Sequence, residues 1–122
     1  MKFLNHRIYS FKNAFRGVFV FFTNYGGAHA LIHGVAAIVA ISLGFYFSIQ
    51  VMEWIAIGAV ITLVLVAEII NSAIEQLTDL VHPEWHEKAG IVKDMAAGAV
   101  LLAAIFALIT GLIIFYPYVI GM

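Results

Sequence analysis

The sequence predicts an all-α integral membrane protein: one N-terminal amphipathic helix at the membrane interface, then three transmembrane helices. Two observations carry this. The 122 residues are 64% hydrophobic and 11% charged, with a mean hydropathy of +1.04, too little polar surface to cover a soluble core of that size. The apolar residues also fall into three runs near the roughly 20 residues that cross a bilayer, at Ala28–Ile49, Trp54–Val81 and Asp94–Phe115. A turn near Gln50–Glu53 and a polar loop over His82–Val92 separate them, so residues 1–122 read as a single domain with no repeat or linker. The chain has no cysteine, which excludes disulfides, thiolate metal sites and thiol nucleophiles.

In the first 27 residues, Leu4, Ile8, Phe11, Phe15, Val18 and Phe22 recur at alternating spacings of four and three, one face of a helix. Lys12 and Arg16 lie off that face. An aromatic apolar face with basic flanks suits a helix lying in the headgroup region, where the cations meet anionic lipid or help to hold an anionic substrate. Gly26–Gly27 disfavour its continuation, so the helix should break there. The run Val18–Phe22 is shorter than a secretory signal core and is read as uncleaved.

Charge placement sets the expected orientation. Lys2, Arg7, Lys12 and Arg16 precede the first span, Lys88 and Lys93 flank the 82–92 loop, and no Lys or Arg occurs in the turn or after Lys93. The N-terminus and the loop are therefore expected in the cytoplasm, with the C-terminus across the membrane. Only Glu53 among the seven acids lies toward that far side.

The second span carries the chemistry. In AEIINSAIEQLTDLV, Glu68, Asn71, Ser72, Glu75 and Asp79 stand at offsets 0, 3, 4, 7 and 11, along one helical face. At about 1.5 Å per residue, Glu68 and Asp79 are roughly 16 Å apart along the axis, and the 28-residue span overshoots a hydrocarbon core of about 30 Å. Glu68 should sit just inside the membrane, Glu75 at its surface and Asp79 in water. An ionised carboxylate at membrane depth costs at least ~2.5–3.5 kcal/mol, so several on one face call for a cation between them. Helix–helix hydrogen bonding with a solvated helix end is the structural alternative. Mg²⁺ suits the face, because it binds through one or two carboxylates plus substrate phosphates. The drier Glu68 suits a general base toward an alcohol, and Glu75 suits metal and phosphate.

Beyond the loop, Lys93 opens the third span at the level of Glu75, placed to meet phosphate or to snorkel as an anchor. Small residues at Ala99, Ala103, Ala107 and Gly111 form a stripe for close helix packing. Trp85 suits a headgroup-level anchor in a wet loop with His82, Pro83, Glu84 and His86. His29 and His33 are four apart, read as an interfacial pair near the substrate rather than as a zinc site.

EIINSAIEQLTDLV, a polar loop, then KDMAAGAVLLAA resembles the prokaryotic diacylglycerol kinase and undecaprenol kinase family, and SFKNAFRG (Ser10–Gly17) resembles that family's surface helix. The resemblance covers nearly the whole chain in order. It implies a homotrimer in the bacterial inner membrane, with sites between subunits and ATP and Mg²⁺ as cofactors. It makes Glu68 the general base on a lipid hydroxyl, Asn71 a polar active-site partner and Glu75 a Mg²⁺ ligand. It places Lys93, Asp94, Asp79 and Ser10 at the nucleotide. No P-loop or kinase Gly-rich loop occurs.

Two departures stand out. The family pattern places a metal-binding Glu six residues before His33, where this chain has Gly27, and no acid precedes Glu53. Either another group compensates, or the chain is an impaired relative that binds lipid or nucleotide. Position 97 is Ala where the diacylglycerol branch tends to have Ser, so KDMAAGAV leans toward undecaprenol as substrate. A transporter subunit using its intramembrane acids as a proton relay is a third reading.

Overall fold

The computed structural model describes residues 1–121, and all of its regular structure is helical. Helix α1 covers Lys2–Val20, a π-helical turn Phe21–Tyr25 follows, and α2 (Gly27–Phe47), α3 (Val51–Val81) and α4 (Glu87–Val119) complete the chain. The last three are each long and apolar enough to cross a membrane. Most of their large apolar side chains are exposed on the single chain, a surface that suits lipid or further helices.

The break between α1 and α2 falls at the expected glycines. Gly27 has φ +55, and Gly26 donates its N–H to the Phe21 carbonyl at 2.7 Å. A left-handed residue at the start of α2 turns the chain, and glycine adopts it without a Cβ clash. Phe21, 3% exposed, plugs this corner. No residue of α1 is buried.

The turn between α2 and α3 is Ser48–Gln50, slightly earlier than the expected 50–53. Ser48 takes a left-handed conformation (φ 51), and the Ser48 and Ile49 N–H groups donate back to the carbonyls of Phe45 and Gly44, which closes α2 at Phe47. Gln50 then starts α3, its N–H donating to Glu53 Oε1 at 3.0 Å, the return half of a capping box. The second span therefore begins at Val51, not Trp54.

The larger difference is at α4. The sequence predicts a loop through Val92, but the helix starts at Glu87 and only His82–His86 is irregular. His86 caps it, Nδ1 accepting from the Lys88 N–H at 3.1 Å, and Glu87 adds a negative charge beside the positive helix end. At 31 and 33 residues, α3 and α4 are roughly 46 and 50 Å long, against roughly 32 Å for α2. All three meet near the Ser48–Gln50 turn, so α3 and α4 project past α2 at the opposite end. These are the turn end and the loop end.

The core lies at the turn end. Ile49, Ile57, Ile114 and Phe115 are buried together, with Leu43, Phe47, Trp54 and Tyr118 packed on them. Gly44 makes room for Trp54, since a Cβ there would stand 2.5 Å from the indole ring. The α3–α4 pair is the main helix contact. Its buried residues on α4 are Ala96, Val100 and Ala103, so of the expected small-residue stripe Ala103 is buried while Ala99 is exposed.

Candidate active site at the loop end

The polar face of α3 grades from dry to wet. Glu68 is 3% exposed and Ser72 is buried, Glu75 is half-buried, and Asp79 is exposed. The spacing that puts these residues on one face also carries them from beside α2 into the part of α3 that projects beyond it.

Among the described residues, Glu68 has one ionisable side chain within ion-pairing distance. His33 Nε2, on α2, lies 3.0 Å from its Oε1. That is ion-pairing distance, but the ring N–H is poorly aligned, so Oε1 is buried without a full hydrogen bond. Asn71 looks elsewhere. Its Oδ1 is also buried without a partner, and the residue lines a groove between α3 and α4 with Ile70, Ile74, Ala96 and Phe106. Two buried polar atoms lacking partners, one turn apart, are unusual in a finished core, where such groups are nearly always satisfied.

Further out, Lys93 Nζ meets Asp79 Oδ1 at 2.5 Å. The helical start of α4 brings these two residues together across the short loop. A concavity of about 140 Å³ opens beside them, lined by His82, Trp85, His86 and Gly90 among others. Asp94, the next residue of α4, is exposed. Ser10 is not brought to this cluster by any contact of its helix: it is exposed on α1, its hydroxyl donating to the His6 carbonyl at 3.0 Å. His29 is exposed one turn from His33.

Among the described residues, no three His, Asp or Glu side chains gather to hold a metal. Gly27 supplies none, although nothing lies within 4 Å of where its Cβ would be. Glu75, a half-buried carboxylate at the edge of the projecting region, fits a Mg²⁺ that arrives on nucleotide phosphates, because such a site needs only one or two protein carboxylates. The donor set does not fit a metal held by this chain alone.

Sequence reasoning named His33 but did not foresee its contact with Glu68. The available signal was depth: α2 and α3 share the turn end, and counting back from there puts residue 33 within about one helical turn of residue 68.

An apolar groove of about 680 Å³ runs between α2, α3 and α4, from Ile32 and His33 at the loop-end rim to Phe115 near the turn end. Three helices able to span a membrane, a partly unsatisfied polar face on one of them and an exposed Lys–Asp pair at one end define an integral membrane protein with a polar cluster at the loop end. The comparisons make that specific. Residues 12–115 match the family described as prokaryotic diacylglycerol kinase, and the chain belongs to that family. It is 35% identical over 114 residues to the undecaprenol kinase of Bacillus subtilis (strain 168), covering 93% of this chain and 91% of that one. It is 35% identical over 85 residues to the diacylglycerol kinase of Escherichia coli (strain K12), covering 70% of each. With the diacylglycerol kinase of Synechocystis it shares 40% over 104 residues, 84% of this chain and 58% of the relative.

Proposed function

We propose that the protein transfers the γ-phosphoryl group of ATP to the hydroxyl of a membrane lipid at the cytoplasmic face, with undecaprenol favoured over diacylglycerol. The observation that carries the reading is the buried Glu68 carboxylate with an unsatisfied oxygen, seven residues from the half-buried Glu75 and eleven from the Asp79–Lys93 pair. Phosphoryl transfer asks mainly for positioning and for charge stabilisation, and this face supplies groups for both. Family membership and the names of the relatives support the reaction class.

In this mechanism Glu68 takes the proton from the lipid alcohol as its oxygen attacks the γ-phosphorus and the bond to the β–γ bridging oxygen breaks, leaving ADP. Asn71 is a polar partner of the site, its unpartnered Oδ1 facing the groove between α3 and α4. Lys93 exchanges Asp79 for phosphate oxygens, and Asp79, Asp94 and Ser10 border the nucleotide. Glu75 would hold a Mg²⁺ arriving with the phosphates, and that ion would supply positive charge to stabilise the transferring group. The exposed helix α1 lies in the interface and the subunits associate as a trimer, which would cover the remaining polar and apolar faces.

The test is ATP-dependent phosphorylation of undecaprenol and diacylglycerol, side by side, in mixed micelles. The proposal expects a labelled lipid phosphate, formed faster from undecaprenol. Mg–ATP binding by calorimetry without turnover on either lipid would replace it with the reading drawn from Gly27, a relative that binds but does not phosphorylate.

A further inference from the structure

We infer that His33 is a positioning residue for Glu68: it fixes the orientation of the buried carboxylate beside the groove between the spanning helices. The inference rests on the phosphoryl-transfer reading and deepens it at one atom.

Four observations lead here. Glu68 is the most buried charged residue of the described chain at 3% exposed, so its charged form needs a specific partner. The partner present is His33 Nε2, 3.0 Å from Oε1. Among the described residues there are two ion pairs, and the other one uses Lys93 on Asp79. His33 itself reaches the lining of the apolar groove. One imidazole therefore touches both the buried carboxylate and the channel along which an apolar chain with a terminal hydroxyl could lie.

The surroundings offer Glu68 no second cation. On α3 its neighbours along the polar face are Asn71 and Ser72, both neutral, then Glu75. On α2 the other titratable groups are His29, exposed one turn toward the loop end, and Tyr46, exposed near the turn end. From α4 the titratable groups of this end are the exposed Glu87 and Lys88 of its first turn, Lys93, engaged by Asp79, and the exposed Asp94. The basic residues of α1 are exposed and make no ion pair.

His33 Nε2 can donate toward Oε1, and that contact limits where the buried carboxylate can point. The contact is short but poorly aligned, as catalytic hydrogen bonds often are before substrate closes the site. Proton transfer then runs from the lipid oxygen to Glu68, and His33 keeps its own protons throughout.

The experiment uses the full-length protein in mixed micelles with undecaprenol and Mg–ATP, comparing wild type, His33→Ala, His33→Gln, Glu68→Gln and the double variant His33→Ala/Glu68→Gln. His33→Ala should lower kcat on the order of 10-fold, the range for losing a hydrogen bond to a charged group, with KM for ATP unchanged. His33→Gln, which keeps a hydrogen-bond donor at that place, should fall between wild type and His33→Ala. In the Glu68→Gln background, His33→Ala should have no further effect, since it acts through the group already removed.

Wild-type kcat for a folded His33→Ala protein, or additive losses in the double variant, would overturn the inference while leaving the kinase reading intact. Full activity of Glu68→Gln with an inactive His33→Ala protein would overturn it too, by moving the base to His33. An inactive wild type on both lipids would remove the reading itself and the inference with it.

Discussion

The two ends of the bundle each place an acid of α3 against a neighbouring helix, and treat it in opposite ways. At the turn end, Glu53 Oε1 accepts from the Gln50 N–H at 3.0 Å and from the Tyr118 hydroxyl at 2.5 Å, beside a packed core of Ile49, Ile57, Ile114 and Phe115. At the loop end, Glu68 has one poorly aligned neighbour and Asn71 has none. A satisfied acid clamps helices together. An unsatisfied one leaves a buried polar atom without a partner in this chain. Under the proposed function, the contrast separates residues that build the bundle from residues that meet substrate.

The sharpest way to break this comparison is through activity. Glu75→Gln should reduce phosphoryl transfer on the order of 100-fold, the scale for losing one charge-stabilising group, and leave the thermal midpoint nearly unchanged. A matching fall in midpoint would move Glu75 to the structural class. At the turn end the losses should be of stability. Gly44→Val forces a side chain where the Trp54 ring stands, and overpacking of this kind costs about 1–3 kcal/mol, read as a lower midpoint for the detergent-solubilised protein.

Gly27→Glu joins the two ends of the argument. There is open space for the side chain, but the backbone is left-handed at φ +55, so strain of about 1–2 kcal/mol is expected. The variant should lower stability by that amount, read as a lower midpoint, and raise Mg²⁺-dependent turnover. An unchanged turnover would mean that the missing acid is not what limits metal use. Tyr118→Phe is the smallest effect: one lost hydrogen bond, about 1 kcal/mol of stability, with turnover preserved.

Much of this was legible in the sequence, because membrane solvent makes its demands locally. Twenty apolar residues mark a span whatever surrounds them, and acids at offsets of 3, 4, 7 and 11 share a helical face in any context. The Gly26–Gly27 break was legible for the same reason. What escaped depends on a partner distant in sequence or on a cap that ordinary propensities do not signal. The Glu53–Tyr118 bond joins positions 65 residues apart, and the His33–Glu68 contact needs the register between α2 and α3. The early start of α4 hangs on a histidine acting as an N-cap, and the end of α2 on a left-handed serine where glycine is the usual signal.

One measurement tests the contrast between the two ends most directly: lipid phosphorylation by Glu68→Gln and Glu53→Gln proteins, assayed side by side on undecaprenol with Mg–ATP after each has been shown to fold. The account predicts a loss of about 100-fold or more for Glu68→Gln, the contribution of a positioned general base, and near wild-type turnover for Glu53→Gln with a lowered thermal midpoint. Equal turnover in the two variants would contradict it.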